Sequence, residues 1–242
     1  MPLKLFSPHF LRTCIGLSLN ALVVVLPLVA VAQQFSPPPP GSFKPPRSSL
    51  PERREGAGTR GPCIKGDKAL TPIMPQTNPA LTVSAYPSFF WYVPTTPAKI
   101  AELVVLDEND QELYKTTLPL TGKPGILSFS MPQTGTQPLE VGQTYHWQFS
   151  IVCSPQEPSE NAFVEGWIQR VETTPALLSQ LKAAKPRQYA AVYAATGIWD
   201  DALTTLAQLR LQRPGDPTVV NDWVTLLKSV ELGHLAQEPL LP

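Results

Sequence analysis

The sequence predicts an α+β protein in which a β-sandwich over residues 63–172 is followed by a helical segment over 173–236. Three observations carry this. From about residue 64 to 172, short apolar runs are bounded by Pro, Gly, Asn and Asp and show no helical period. One run, Tyr145 to Cys153, alternates strictly. After Thr173 the period becomes helical and the punctuation becomes that of helix caps.

The first element in chain order is a secretory signal peptide over residues 1–32. Lys4 and Arg12 precede an apolar run from Cys14 to Val31, and Ala30-Val31-Ala32 forms the small-x-small pattern that signal peptidase cleaves. The run is also about long enough, at roughly 17–25 residues, to remain as a membrane anchor. The helix-breaking Pro27 just ahead of Ala30 and Ala32 favours removal. Only if the segment were retained would the chain contact a membrane.

Residues 33–62 hold Pro37 to Pro40, Pro45, Pro46, Pro51 and Pro62, a concentration of the chain's 29 prolines, and little that could form a core. Such a composition predicts a disordered, proline-rich, solvated linker. Its basic residues, Lys44, Arg47, Arg53, Arg54 and Arg60, outnumber its acids, so an anionic surface is the functional alternative to a plain tether.

Within the sandwich region, strands are expected near 81–86, 89–93, 100–107, 111–117, 126–131, 144–152 and 163–172, with Asp107, Glu108, Asn109 and Asp110 as a hairpin turn. That acidic turn lacks the full ligand spacing of a calcium loop. Tyr145, Trp147, Phe149, Ile151 and Cys153 share one face by the two-residue period, and that face must be core. Leu139 to Thr144 leading into Tyr145 looks like a tyrosine corner, which points to a sandwich of the immunoglobulin/fibronectin III-like kind. Cys63 and Cys153 are the two cysteines left beyond the signal segment. In an oxidising compartment an even count suggests a disulfide; two free thiols or half of a metal site are the alternatives.

The helical segment reads as four helices near 175–184, 186–196, 199–212 and 217–232. Thr174 with Pro175, Asp200 with Asp201, and Asp216 with Pro217 mark helix starts, while Gly197 and Gly233 suit helix ends. Tyr193, Gly197, Trp199, Ala202, Leu206 and Pro214 have the spacing of one tetratricopeptide-like helix pair. A single pair cannot build a solenoid, so it is expected to pack on the sandwich or to dock a partner.

The charge balance bears on function by exclusion. Beyond residue 32 there are 17 basic and 19 acidic residues, too even for a nucleic-acid partner. No nucleophile elbow, phosphate loop, two-histidine metal motif or cofactor motif is present, so no catalytic residue, metal or cofactor is assigned. His146 alternates away from the core face as an exposed sheet residue, and His234 follows the last helix. A carboxylate pair of a hydrolase would leave no local signature, so that chemistry is the lowest-ranked reading. Phe90, Tyr92 and Trp199 are the candidate binding surface. The run Phe89 to Tyr92 puts aromatics on both faces of a strand; one pair fills the sandwich, and the other either lies under the helices or forms a platform for polysaccharide or a protein.

Six ordered motifs, Thr59-Arg60-Gly61-Pro62-Cys63, Phe89-Phe90-Trp91-Tyr92-Val93-Pro94, Pro124-Gly125-Ile126, Tyr145-x-Trp147-x-Phe149, Gly166-Trp167-Ile168-Gln169-Arg170 and Tyr193 with Gly197 to Ala202, together resemble a cyanobacterial exported family catalogued as domain of unknown function 928. The resemblance runs from about residue 58 to the C-terminus. It implies a secreted or periplasmic envelope protein of photosynthetic bacteria with no assigned activity, and it brings no catalytic residues. The function expected is that of a non-catalytic envelope protein with a protein partner, and the alternative is a polysaccharide-binding module built on residues 89–92.

Overall fold

The computed structural model describes residues 41–45, 61–76 and 79–242, all within one compact unit spanning Pro38–Pro242. The signal segment with Ala30 and Ala32 lies outside the described residues.

Among the described residues eight strands form two sheets. In chain order they are β1 (Thr71–Pro72), β2 (Ala80–Thr82), β3 (Ser88–Val93), β4 (Ile100–Leu106), β5 (Glu112–Pro119), β6 (Gly125–Ser130), β7 (Thr144–Ile151) and β8 (Ala162–Arg170). One sheet has the order β1-β3-β6 and the other β2-β8-β7-β4-β5. All pairings are antiparallel except β2 with β8, which is parallel. The hairpin between β4 and β5 turns where the sequence places it. The Asp107 carboxylate accepts from the N–H groups of Asn109 (2.8 Å) and Gln111 (2.9 Å), and Asp110 takes the left-handed conformation at φ 58°.

The sheets meet face to face through aromatic side chains. Alternation along β7 buries Tyr145, Trp147, Phe149 and Ile151. Trp91 of β3 stacks on Phe149 with centroids 4.0 Å apart and meets Trp147 edge-on at 5.9 Å. Gly166 in β8 makes this packing fit, since a Cβ there would come within 2.5 Å of the Trp147 indole. The Tyr145 hydroxyl accepts from the Glu140 N–H at 2.9 Å, tying the corner ahead of β7 to the strand.

Four helices follow: α1 (Pro175–Ala183), α2 (Tyr189–Ala195), α3 (Trp199–Gln212) and α4 (Pro217–Lys228). Thr174 caps α1 by accepting from the Leu177 N–H (3.2 Å), and Asp216 caps α4 by accepting from Thr218 (2.9 Å), each with proline in the first turn. Gly197, at φ 80°, ends α2 in the left-handed conformation, and the next N–H, of Ile198, donates back to the Tyr193 carbonyl at 2.9 Å. Helix α3 begins differently from expectation. Ile198 is its N-cap and caps with no side chain, while Asp200 and Asp201 turn toward the sheets.

That turn docks the helices. Asp201 accepts from the Thr82 hydroxyl (2.8 Å) and the Val83 N–H (3.0 Å), and Asp200 accepts from the Ser88 N–H (3.4 Å). The Trp199 indole N–H donates to the Ile73 carbonyl at 3.0 Å. Strand β3 is therefore buried on both faces, between the five-stranded sheet and α3. Sandwich and helices share one continuous apolar core. The C-terminal tail closes the far edge of the smaller sheet: the Ile126 N–H donates to the Pro239 carbonyl (2.7 Å), and the Leu241 N–H donates to Ile126 (2.8 Å).

A docked strap departs from the expectation that residues 33–62 form a solvated linker throughout. At Gly41–Pro45 the chain lies against the helices. Phe43 is buried, its N–H donates to the Ser229 hydroxyl (3.1 Å), and the Lys44 N–H donates to the Ala194 carbonyl (3.0 Å). One aromatic side chain supplies the apolar area that the surrounding prolines and polar residues lack.

Candidate functional site

The structure buries all three residues of the sequence-derived candidate surface. Phe90 is 7% exposed, Tyr92 4% and Trp199 1%. Phe90 lies toward Trp199 and Asp200 beneath α3. Tyr92 lies below the Lys68 ammonium, 5.8 Å from the ring centroid, and Lys68 is itself paired to Glu238 of the C-terminal tail. These residues hold the layers together; they form no exposed aromatic platform, and a polysaccharide surface at 89–92 is corrected accordingly. Alternation separates the two pairs of rings but leaves open which pair fills the sandwich; the structure turns Phe89 and Trp91 inward and lays Phe90 and Tyr92 under α3 and the tail. His146 is half-buried rather than exposed: it stacks on Trp167 across the strand pair (4.5 Å) and approaches Glu165 at 3.2 Å. His234 is exposed in a 3₁₀ turn at Gly233–Leu235. Cys63 and Cys153 are joined as a disulfide with their Cα atoms 5.5 Å apart. No group of His, Cys, Asp or Glu among the described residues is placed to hold a metal.

A concavity lies in the helical layer. Helices α1 to α4 and the strap residue Gly41 enclose a groove of about 730 Å³. Its floor is shallow because α1 and α2 present alanines, Ala183, Ala191 and Ala195, opposite Leu206, Leu209 and Val219. Packing draws the helices together at buried Ala190, Ala194 and Ala202, and the short outward side chains leave the space above them open. Such a volume is within the range of sites that hold a small molecule or a short peptide segment.

The lining of the groove is also charged. From Pro175 to Trp199 there is no acid, and Lys182, Lys185 and Arg187 are exposed there. Arg187 lines the groove, and Arg213, at the end of α3, joins it. Asp216, in the same turn as Arg213, and Asp222 of α4 also line it, so its charged lining is balanced. The Asp216 carboxylate is engaged as the cap of α4. Burial, and secondarily the neighbouring Asp216, pushes the Asp222 carboxyl above its ordinary range. Reading the sequence for motifs passed over this groove, because its lining comes from four helices and no single stretch carries it. The one local signal was the acid-free basic run ahead of Trp199.

Among the described residues Asp200 is strongly perturbed. Burial, then the adjacent Asp201, raises its carboxyl well above the usual carboxylate range, and the Ser88 N–H opposes this only in part. Asp201 is also raised by burial, against its bonds to Val83 and Thr82. Neither faces the groove, and both join α3 to the sheets.

Fold and site together define a two-sheet β-sandwich protein with a helical layer that carries a mixed apolar and charged groove. The chain belongs to the family Domain of Unknown Function (DUF928), which it matches over residues 55–240. Among solved structures it is similar to "The crystal structure of CopC from Methylosinus trichosporium OB3b", at 15% identity over 40% of this chain and 90% of that one, with a TM-score of 0.26. No curated protein matches the chain.

Proposed function

We propose that this is an exported, non-catalytic envelope protein that binds another protein in the groove between α1 and α4. The observation that carries the proposal is the groove itself: an open concavity of about 730 Å³ with an apolar floor and charged walls, in a layer whose other face is fixed to the sandwich. Export is supported by the signal-like residues 1–32 and by the Cys63–Cys153 bond, which an oxidising compartment sustains. Among the described residues no helix is long and apolar enough to cross a membrane.

The sandwich is read as immunoglobulin/fibronectin III-like. Support comes from the Tyr145 to Glu140 bond at the start of β7 and from the separation of β3-β6 from β8-β7-β4 into opposed sheets. Helices α2 and α3, meeting at the fully buried Ala202, support a tetratricopeptide-like pair as the unit that presents the groove.

The test is affinity capture from the exported protein fraction of the source cells, with Ala195→Arg as the probe. Ala195 is exposed at the groove floor, so arginine there fills the groove without entering the core. The expected result is a captured protein that is lost in Ala195→Arg while circular dichroism is unchanged. Capture that survives the substitution rejects the groove as the docking site.

A further inference from the structure

We propose that the slot filled by Phe43 is the part of the docking surface that reads the partner. It takes a short non-helical segment carrying one aromatic side chain, and the strap at Gly41–Pro45 occupies it in the free protein as an internal competitor. This rests on the reading of the helical layer as the docking surface, and it adds what the partner must carry.

The slot lies where two helices end. A helix leaves the carbonyls of its last turn without intrahelical partners, and a chain passing that end can donate to them. The Lys44 N–H donates to the Ala194 carbonyl (3.0 Å), which also accepts from the Gly197 N–H (3.2 Å) at the end of α2. The Phe43 N–H donates to the Ser229 hydroxyl (3.1 Å), which in turn donates to the Leu226 carbonyl (2.6 Å) at the end of α4. Beside these two bonds the Phe43 ring is buried edge-on against Trp199.

These contacts define what the slot reads. The two donating N–H groups belong to the aromatic residue and the one after it, so neither position accepts proline. Ser42 is half-buried, and Lys44 and Pro45 are exposed, so their side chains are not selected. One buried ring and two backbone donors are the recognition chemistry of a short linear segment with a single aromatic anchor.

The same contacts make the strap exchangeable. One ring and two hydrogen bonds are opposed by the entropy of ordering five residues. Residues 46–60 separate the strap from Gly61 along the chain, so it leaves the slot without moving the Cys63–Cys153 bond. Gly41 lines the groove, and Ala195, next to the Ala194 acceptor, lies on its floor, so slot and groove are continuous. A partner seated in the groove reaches the slot by displacing the strap.

The probe is a fluorescent peptide with the strap's own sequence, Gly-Ser-Phe-Lys-Pro-Pro. In two control peptides alanine replaces the phenylalanine or proline replaces the lysine. All three are titrated by polarisation against the full native chain and against Phe43→Ala, whose fold is checked by circular dichroism. The strap peptide is expected to bind Phe43→Ala at least about tenfold more tightly than the native chain, in which only molecules with an open slot are competent. Each control should bind at least about tenfold more weakly than the strap peptide. On the native chain, excess strap peptide should remove hydrogen-exchange protection from the Lys44 amide, a readout that needs no variant. Equal binding of the strap peptide to both chains, controls that bind as well as the strap peptide, or Lys44 protection unchanged at saturating peptide overturns the proposal. A native chain that dimerises with rising concentration while Phe43→Ala stays monomeric gives the slot to a second copy and also overturns it. If the peptide does not bind while protein capture still depends on Ala195, the aromatic slot falls and the groove stands; if capture is insensitive to both Ala195→Arg and Phe43→Ala, both fall.

Discussion

The ring of Phe43 meets the indole of Trp199 edge-on, with centroids 5.1 Å apart and planes at 82°. It is the one large apolar side chain of the strap at Gly41–Pro45, and the two backbone bonds of the strap, to Ala194 and Ser229, flank it. Phe43→Ala should therefore release the strap from α2, α3 and the end of α4, at a cost of about 3 kcal/mol, the lower end for a buried phenylalanine. Denaturant unfolding measures the loss. Hydrogen exchange distinguishes its origin: the Lys44 amide should lose protection while amides of β7 keep theirs.

The disulfide joins Cys63, which lies just before the first strands, to Cys153 after β7, across 90 residues. In the chain-entropy model a loop of that size stabilises by roughly 4–5 kcal/mol. Cys63→Ala/Cys153→Ala, or the native chain under reductant, should lower the thermal midpoint by many degrees. The double variant should then become insensitive to reductant, and a native midpoint equal with and without reductant rejects the contribution.

Gly166 sits where Trp147 and Met74 approach the β8 backbone; a Cβ would lie 2.5 Å from the indole and 2.8 Å from the Met74 sulfur. The indole cannot move freely, because Trp147 also packs against Trp91 and Phe89. Gly166→Ala should cost about 1–3 kcal/mol by overpacking, and the near-ultraviolet signal of the tryptophans should change. A stability equal to that of the native chain would mean that the aromatic cluster can yield at this point.

Much of this architecture was legible because the signals were local. Alternation along Tyr145 to Ile151 depends only on the two-residue period, and the caps at Thr174 and Asp216 depend only on a side chain reaching two or three residues ahead. What escaped was decided by distant parts of the chain. Asp200 and Asp201 have the composition of a helix start, yet their carboxylates bond to Thr82, Val83 and Ser88, more than a hundred residues away. Alternation in Phe89 to Tyr92 leaves open which pair fills the sandwich; the structure turns Phe89 and Trp91 inward, and Phe90 and Tyr92 are covered by Trp199 and the C-terminal tail. Phe43 stood among prolines with no period to reveal a partner. The groove was least legible, since Arg187, Arg213 and Asp222 belong to different segments and meet only when the helices pack.

The buried Asp200 carboxyl makes the joint between α3 and β3 sensitive to pH, and the sign follows from burial. Its folded pKa is raised well above the ordinary carboxylate range, so over the interval between the two values the native state holds a proton that the unfolded chain releases. Stability contributed by that proton is fully present below about pH 4, falls as pH rises toward the folded value, and stays lost above it. Asp201 acts in the same direction, more weakly because Thr82 and Val83 donate to its charged form. Asp200→Asn keeps an acceptor for the Ser88 N–H and removes the titration. The difference in unfolding free energy, variant minus native, should therefore increase from pH 4 to pH 7, whatever its value at pH 4. Denaturant melts of both proteins at several pH values measure this, with Ser88 and Ser130, hydrogen-bonded to each other at 2.7 Å, left unchanged. A difference that stays constant across that range would mean that Asp200 is solvated or charged in the native state.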